Sequence, residues 1–211
     1  MKAKALLGIG LLVLTYLAFG CQDQGLDAGQ TGQVETMITS VAASSSPFVP
    51  ETNQILAAAE VTVVRAYLMP AGGLAAEQVQ IFSSPTGRTF DLFDLQNGIQ
   101  AELALASVPA GKYEQIRLVI SEARVTLAGD YRFSDGSTTQ IVEVPSAEQG
   151  GITVLLRNDF VIPENGLVTL VLNLDLTQNF HIQMDPNSDL VVRRVIFTPV
   201  IQELRRDTSP V

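Results

Sequence analysis

Between Gly166 and Leu176 the chain repeats with a period of two. Val168, Leu170, Leu172, Leu174 and Leu176 fall on one face, and Thr169, Asn173 and Asp175 on the other. A period of two residues belongs to extended backbone, so this segment is a strand with one wholly apolar face, and another layer must cover that face. The same period groups Ile116, Leu118 and Ile120 against Tyr113, Gln115 and Arg117, and brings Ile152, Val154 and Leu156 together. Further runs of this kind are Val34 to Val41, Glu60 to Leu68, Gln78 to Ser83, Thr89 to Leu95, Ile99 to Val108, Glu122 to Leu127, Thr138 to Val144 and Leu190 to Leu204.

Turn residues punctuate the runs. Asn97-Gly98, Asp135-Gly136 and Asn165-Gly166 each suit the positive φ angles of a tight hairpin, which predicts antiparallel pairing of the flanking runs. Val108-Pro109-Ala110-Gly111 has the Pro and Gly placement of a type I turn. Pro199 lacks an N–H donor and belongs at an edge or a bulge. One short helix, near Glu51 to Ala59, fits a crossover between sheets, and the Ser-rich stretch from Ser44 to Pro50 fits an exposed loop. The expected fold is all-β: an antiparallel β-sandwich of Greek-key type, immunoglobulin-like or transthyretin-like, in one domain over residues 34–204. Residues 205–211 then form a C-terminal tail.

The first 20 residues are of another kind. Lys2 and Lys4 precede an uncharged run from Ala5 to Phe19, which is too short to span a bilayer and ends in Leu17-Ala18-Phe19-Gly20-Cys21. That pattern resembles a bacterial lipobox. It implies cleavage after Gly20 and acylation of Cys21, which anchors the chain in membrane lipid, while the polar, Gly-rich residues 22–33 act as a tether. Gln22, where Asp would signal retention, resembles the outer-membrane sorting signal of diderm bacteria. Removing residues 1–20 takes away two Lys and no acid, so the net charge of −9 becomes −11 over 191 residues, with Lys112 the last lysine. Such an acidic body is repelled by anionic lipid and by nucleic acid alike, so no nucleic-acid partner is expected.

Two segments carry a family resemblance. They are Phe90-Asp91-Leu92-Phe93-Asp94-Leu95-Gln96-Asn97-Gly98 and Leu103 to Leu118, the latter containing Pro109-Ala110-Gly111-Lys112-Tyr113-Glu114-Gln115-Ile116-Arg117-Leu118. Together with Leu170 to Asp175 and Phe197-Thr198-Pro199-Val200-Ile201, they resemble the prokaryotic surface-lipoprotein family catalogued as domain of unknown function 4382, over about residues 34–204. The resemblance implies an exported β-sandwich without a characterised activity. Residue chemistry alone suggests that the Tyr113 ring covers a sheet edge while its hydroxyl reaches a backbone carbonyl.

Candidate chemistry is sparse. With one Cys and one His, the chain has neither an intramolecular disulfide nor a Cys/His zinc site. Any Ser-His or Cys-His mechanism would pass through His181, which lies in Asn179-Phe180-His181-Ile182-Gln183 without a nucleophile elbow nearby. Paired carboxylates, with Asp91, Asp94, Glu102 and Asp175 as strand-borne candidates, define the alternative of a secreted hydrolase. Asp185, Asn187 and Asp189 match the opening of a calcium loop, but Leu190 and Ile196 stand where Gly and the bidentate Glu are required, which leaves a calcium-dependent adhesion module as a second alternative. Arg193-Arg194 and Arg205-Arg206 read as solvated charges, and Gly72-Gly73 as a turn. The leading expectation is an envelope lipoprotein presenting a non-catalytic sandwich for binding or structural interaction, with no catalytic residue, cofactor or metal.

Overall fold

The computed structural model describes residues 27–42, 51–73, 77–144 and 151–210. Cys21, Gly20, the apolar leader and the Ser44 to Pro50 stretch lie outside them. The described chain is all-β and sandwich-like, built around one strand of 28 residues, β4 (Gln100–Leu127). The other long strands are β1 (Asp27–Thr39), β2 (Leu56–Pro70), β3 (Val79–Asp91), β7 (Ile152–Ile162), β8 (Gly166–Asn173), β10 (Ser188–Phe197) and β11 (Gln202–Pro210). Short elements complete the fold: β5 (Arg132–Phe133), β6 (Thr139–Val142), β9 (Phe180–Asp185), α1 (Glu51–Ile55) and α2 (Leu176–Asn179).

β4 belongs to two layers. Its first part, to Ala110, pairs with β1, which lies beside β8 and then β11. From Gly111 onward it pairs with β2 on one side and with β7 and β6 on the other, and β3 closes the far edge beyond β2. The hydrogen bonds from Leu92 N to Ala59 O and from Ser40 N to Leu95 O tie the start of β2 to the end of β1 within four residues of connecting chain. β4 therefore doubles back at Pro109-Ala110-Gly111, laying its second half over its first. A strand that changes sheets at a bend is a usual way to make a sandwich corner. Gly111, at φ 147°, takes a backbone angle that residues with a Cβ rarely adopt. β5, β10 and β9 form a third, smaller sheet against the same core.

β4 stays amphipathic over this length because bulges reset its phase. Ile116, Leu118 and Ile120 point inward, and after Ser121 the inward set moves to Ala123, Val125 and Leu127. Ser121 is the extra residue between the pairs Val63–Ile120 and Thr62–Glu122, and Glu114 is extra between Pro70–Tyr113 and Met69–Gln115. Each bulge inserts one residue and returns the apolar set to the core. Sequence periodicity reads each loss of phase as a strand end, so the three runs expected between Ile99 and Leu127 are one strand. The expected reversal at Val108 to Gly111 is a bend within it.

Other expectations shift for similar reasons. Gln78 to Ser83 and Thr89 to Leu95 merge into β3, where Ser84 to Gly87 bulge out opposite Val64. Asn97 (φ 60°) and Gly98 (φ 83°) form the tight turn foreseen, but β3 and β4 are not hydrogen-bonded neighbours, and the turn carries the chain from one layer to the other. At Asn165-Gly166 the chain also changes layers, from β7 to β8, but only Asn165 (φ 51°) takes a positive angle and Gly166 is the first residue of β8. A turn sequence sets local backbone angles, whereas the partner is chosen by where each apolar face finds cover. Two pairings are parallel, β1 with β8 and β5 with β10, where antiparallel neighbours were expected throughout. β1 begins at Asp27, so residues 27–33, read as tether, are strand; their alternation continues inward through Gly32 and Val34. Likewise residues 205–210, read as tail, lie in β11 and pair with β8, and Pro199 lies in the connection between β10 and β11.

The core is one cluster that takes in all three sheets. Val168, Leu170, Leu172, Leu174 and Leu176 are all buried in it, as their alternation required. Thr36 is the exception to its apolar character. It sits on the inward face of β1 between Val34 and Ile38, fully buried, and its hydroxyl has no hydrogen-bond partner among the described residues. A buried hydroxyl without a partner costs about 1–3 kcal/mol relative to an apolar group of the same shape. Thr36→Val is expected to stabilise the domain by about 1 kcal/mol, seen as a higher urea midpoint at unchanged m-value.

Candidate functional site

The two ends of the sandwich hold its polar interior. At the end carrying α2, the tips of β1 and β8 meet the turn that follows β3. Thr39 Oγ1 donates to Ile99 O at 2.7 Å and Leu95 O at 3.3 Å. The Asn173 amide brackets Val41, donating to its carbonyl at 2.9 Å and accepting from its N–H at 2.8 Å. Asp175, 3% exposed, caps α2 by accepting from Thr177 N at 2.9 Å, Thr177 Oγ1 at 2.8 Å and Gln178 Nε2 at 3.1 Å. Asn179, fully buried, donates to Asp175 O and Val200 O and accepts from Val200 N, which fixes the connection from β10 to β11. Beside this knot a cleft of about 330 Å³ is lined by Ser40, Val41, Ala42, Gln96, Asn97, Asp175, Leu176 and Thr177.

At the bend end, Tyr113 is fully buried and its hydroxyl donates to Pro109 O at 2.8 Å across the corner. Its ring meets Phe160 of β7 edge to face at 6.4 Å. The reach to a backbone carbonyl agrees with the sequence reading, but the ring lies inside the core, where burial pushes the phenol up to about 12. A second cleft, of about 390 Å³, opens here between Thr31, Gly32, Gln33, Ser107 and Asn165.

Most sequence candidates are dispersed or already engaged. His181 is exposed on β9, paired through its backbone with Ile196. Asp91 Oδ1 accepts from Ala59 N and Phe93 N, shaping the turn after β3. Asp94 is exposed, and Glu102 faces Arg88 at 3.6 Å. Asp175 leaves the strand in which alternation placed it, because β8 stops at Asn173. Among the described residues it is the one carboxylate lining the first cleft, and none lines the second. Asp185, Asn187 and Asp189 occupy the hairpin joining β9 to β10, where Asp185 Oδ1 accepts from Asn187 N at 2.8 Å. No group of three or more His, Cys, Asp or Glu suited to a metal ion occurs among the described residues. Asp135 is held below the ordinary carboxylate range by hydrogen bonds from Ser137, hydroxyl first and backbone N–H second.

Arg205 and Arg206 part company. Arg205 remains a surface charge 2.9 Å from Asp207, whereas Arg206 turns inward onto Phe160, 4.8 Å from the ring centroid, and pairs with Glu203 at 2.7 Å. The expected solvated pair is thus half a closure of the sandwich edge, since a guanidinium stacks on an aromatic face where water would otherwise enter. Sequence reading also passed over Thr39, Ser40, Asn173 and Asn179. The available signal was faint: isolated hydroxyl and amide side chains at the margins of apolar runs.

Taken together, these features define an all-β, sandwich-like domain in which the buried polar side chains at the two ends are engaged in closing them. The chain belongs to the family described as domain of unknown function (DUF4382), which matches residues 22–193. The match begins before the expected Val34 and stops at Arg193 inside β10, so Phe197 to Ile201 and β11 lie beyond it. No curated protein and no solved structure matches the chain.

Two substitutions test the ends separately. Asn179→Ala strands the Val200 N–H and carbonyl, while Asp175 O keeps its backbone donors, and is expected to cost about 2–4 kcal/mol in chemical denaturation. Tyr113→Phe is expected to cost about 1 kcal/mol at neutral pH. Because folding raises the phenol pKa, the stabilisation from Tyr113 is complete below the unfolded value of about 10 and is lost as pH rises through about 12. The wild-type advantage over Tyr113→Phe, measured by urea titrations across that window, should therefore shrink.

Proposed function

We propose that this chain is an exported lipoprotein, cleaved after Gly20 and acylated on Cys21, whose sandwich is a non-catalytic binding or structural module of the cell envelope. The observation that carries the reading is Leu17-Ala18-Phe19-Gly20-Cys21 at the end of a short apolar run behind Lys2 and Lys4. Two or three acyl chains, each buried CH₂ contributing about 0.8 kcal/mol, anchor a protein firmly where one chain does not. Gln22 favours the outer membrane where the cell has one. The fold supports the same reading from its other side. Buried Asp175, Asn173 and Asn179 direct hydrogen bonds to the chain itself, and among the described residues neither cleft is lined by the paired carboxylates that glycoside hydrolysis uses.

Cys21→Ser is expected to abolish incorporation of labelled fatty acid and to move the protein from the membrane to the soluble fraction. Unchanged membrane attachment of that variant would overturn the anchor.

A further inference from the structure

If Cys21 holds the lipid, the fold decides which end of the sandwich meets the bilayer. Five residues, 22–26, separate Cys21 from Asp27, the first residue of β1. Fully extended, the path from Cys21 to Asp27 spans at most about 21 Å, at 3.3–3.6 Å per residue. Asp27 enters beside the β4 bend, paired with Ala110, and β1 then runs away from it to Thr39, paired with Gln100. The ladder from Ala110 to Gln100 is roughly 33 Å long at about 3.3 Å per residue. The body is therefore longer than its leash, and the leash leaves from one end.

Resting on the lipoprotein reading, we infer that the bend end faces the lipid headgroups and that the α2 end projects outward. The headgroup-facing surface is formed by Pro109, Lys112, Glu164 and Asn165, with the second cleft beside the chain's entry. Gln96, Asn97 and Thr177, around the first cleft, form the surface offered to the envelope space. A side-on pose would press an acidic body, −11 after cleavage, along its length against anionic lipid, so charge favours the end-on pose as well.

The acylated protein contains no free thiol, so a single introduced cysteine can be labelled cleanly. Glu164→Cys lies at the bend end and Ile99→Cys, 57% exposed, at the α2 end. Each acylated variant, carrying a fluorophore, is reconstituted into vesicles of phosphatidylethanolamine and phosphatidylglycerol doped with a headgroup-nitroxide phosphatidylcholine. The label at residue 164 should be quenched several-fold more strongly than the label at residue 99. Equal or reversed quenching, with the protein floating with the vesicles, overturns the orientation alone. Failure of both variants to float overturns the anchor and the orientation together, and Cys21→Ser floating normally identifies the anchor as the part at fault.

Discussion

The hydrogen bond from Tyr113 to Pro109 spans the point at which one strand becomes two layers. Everything else in the sandwich is arranged around that fold in β4. Because β4 doubles back, its first half carries Leu103 and Val108 on the inner face it shares with β1 and β8, while its second half presents Ile116, Leu118 and Ile120 to the same space from the other layer. Gly111 supplies the backbone freedom, Pro109 restricts the approach, and the buried phenol holds the two sides together. The Phe160 ring beside it and Arg206 over that ring extend the closure to the edge where β7 and β11 meet.

The opposite end is closed by amides and one carboxylate. A strand tip in a sandwich leaves backbone donors and acceptors without ladder partners, and their burial is tolerable only when side chains complete them. Asn173 completes Val41, Asn179 completes Val200, and Asp175 completes the first turn of α2. The outer face of the second layer is polar by a different route, through cross-strand pairs such as Thr62 with Thr89, Thr126 with Thr139 and Arg124 with Glu60. Apolar alternation thus builds the middle of the molecule, and hydrogen-bonding side chains determine where it ends.

This division explains what could be read in advance. Alternation at Val168, Leu170 and Leu172 is an imprint of burial, so the all-β class and the inward faces of most strands were legible; past Leu172 the imprint is lost, because Asn173 and Asp175 are buried as well and β8 ends at Asn173. Bulges erase the imprint locally, which is why β4 looked like three strands and β3 like two. Asn97-Gly98 announced its turn correctly and Asn165 the positive angle of its own, yet the identity of a pairing partner is a property of the whole core and is not written in the turn. The polar ends were hardest to see, because a buried Asn179 and a solvated asparagine have the same place in a hydropathy pattern. Arg206 shows the same ambiguity beside Arg205: identical residues, adjacent in sequence, one stacked on Phe160 and one in water.

The parallel seat of β1 has a kinetic side. β1 lies between β4 and β8, and its contact with β8 joins residues as far apart as Glu35 and Thr169, 134 positions along the chain. Closing so long a loop is entropically slow, and folds dominated by such contacts assemble late and cooperatively. Synthesis delivers β1 well before β8, so the second neighbour of β1 emerges only after most of the other strands have followed. Until then the β8-facing edge of β1 has no ladder partner within its own fold.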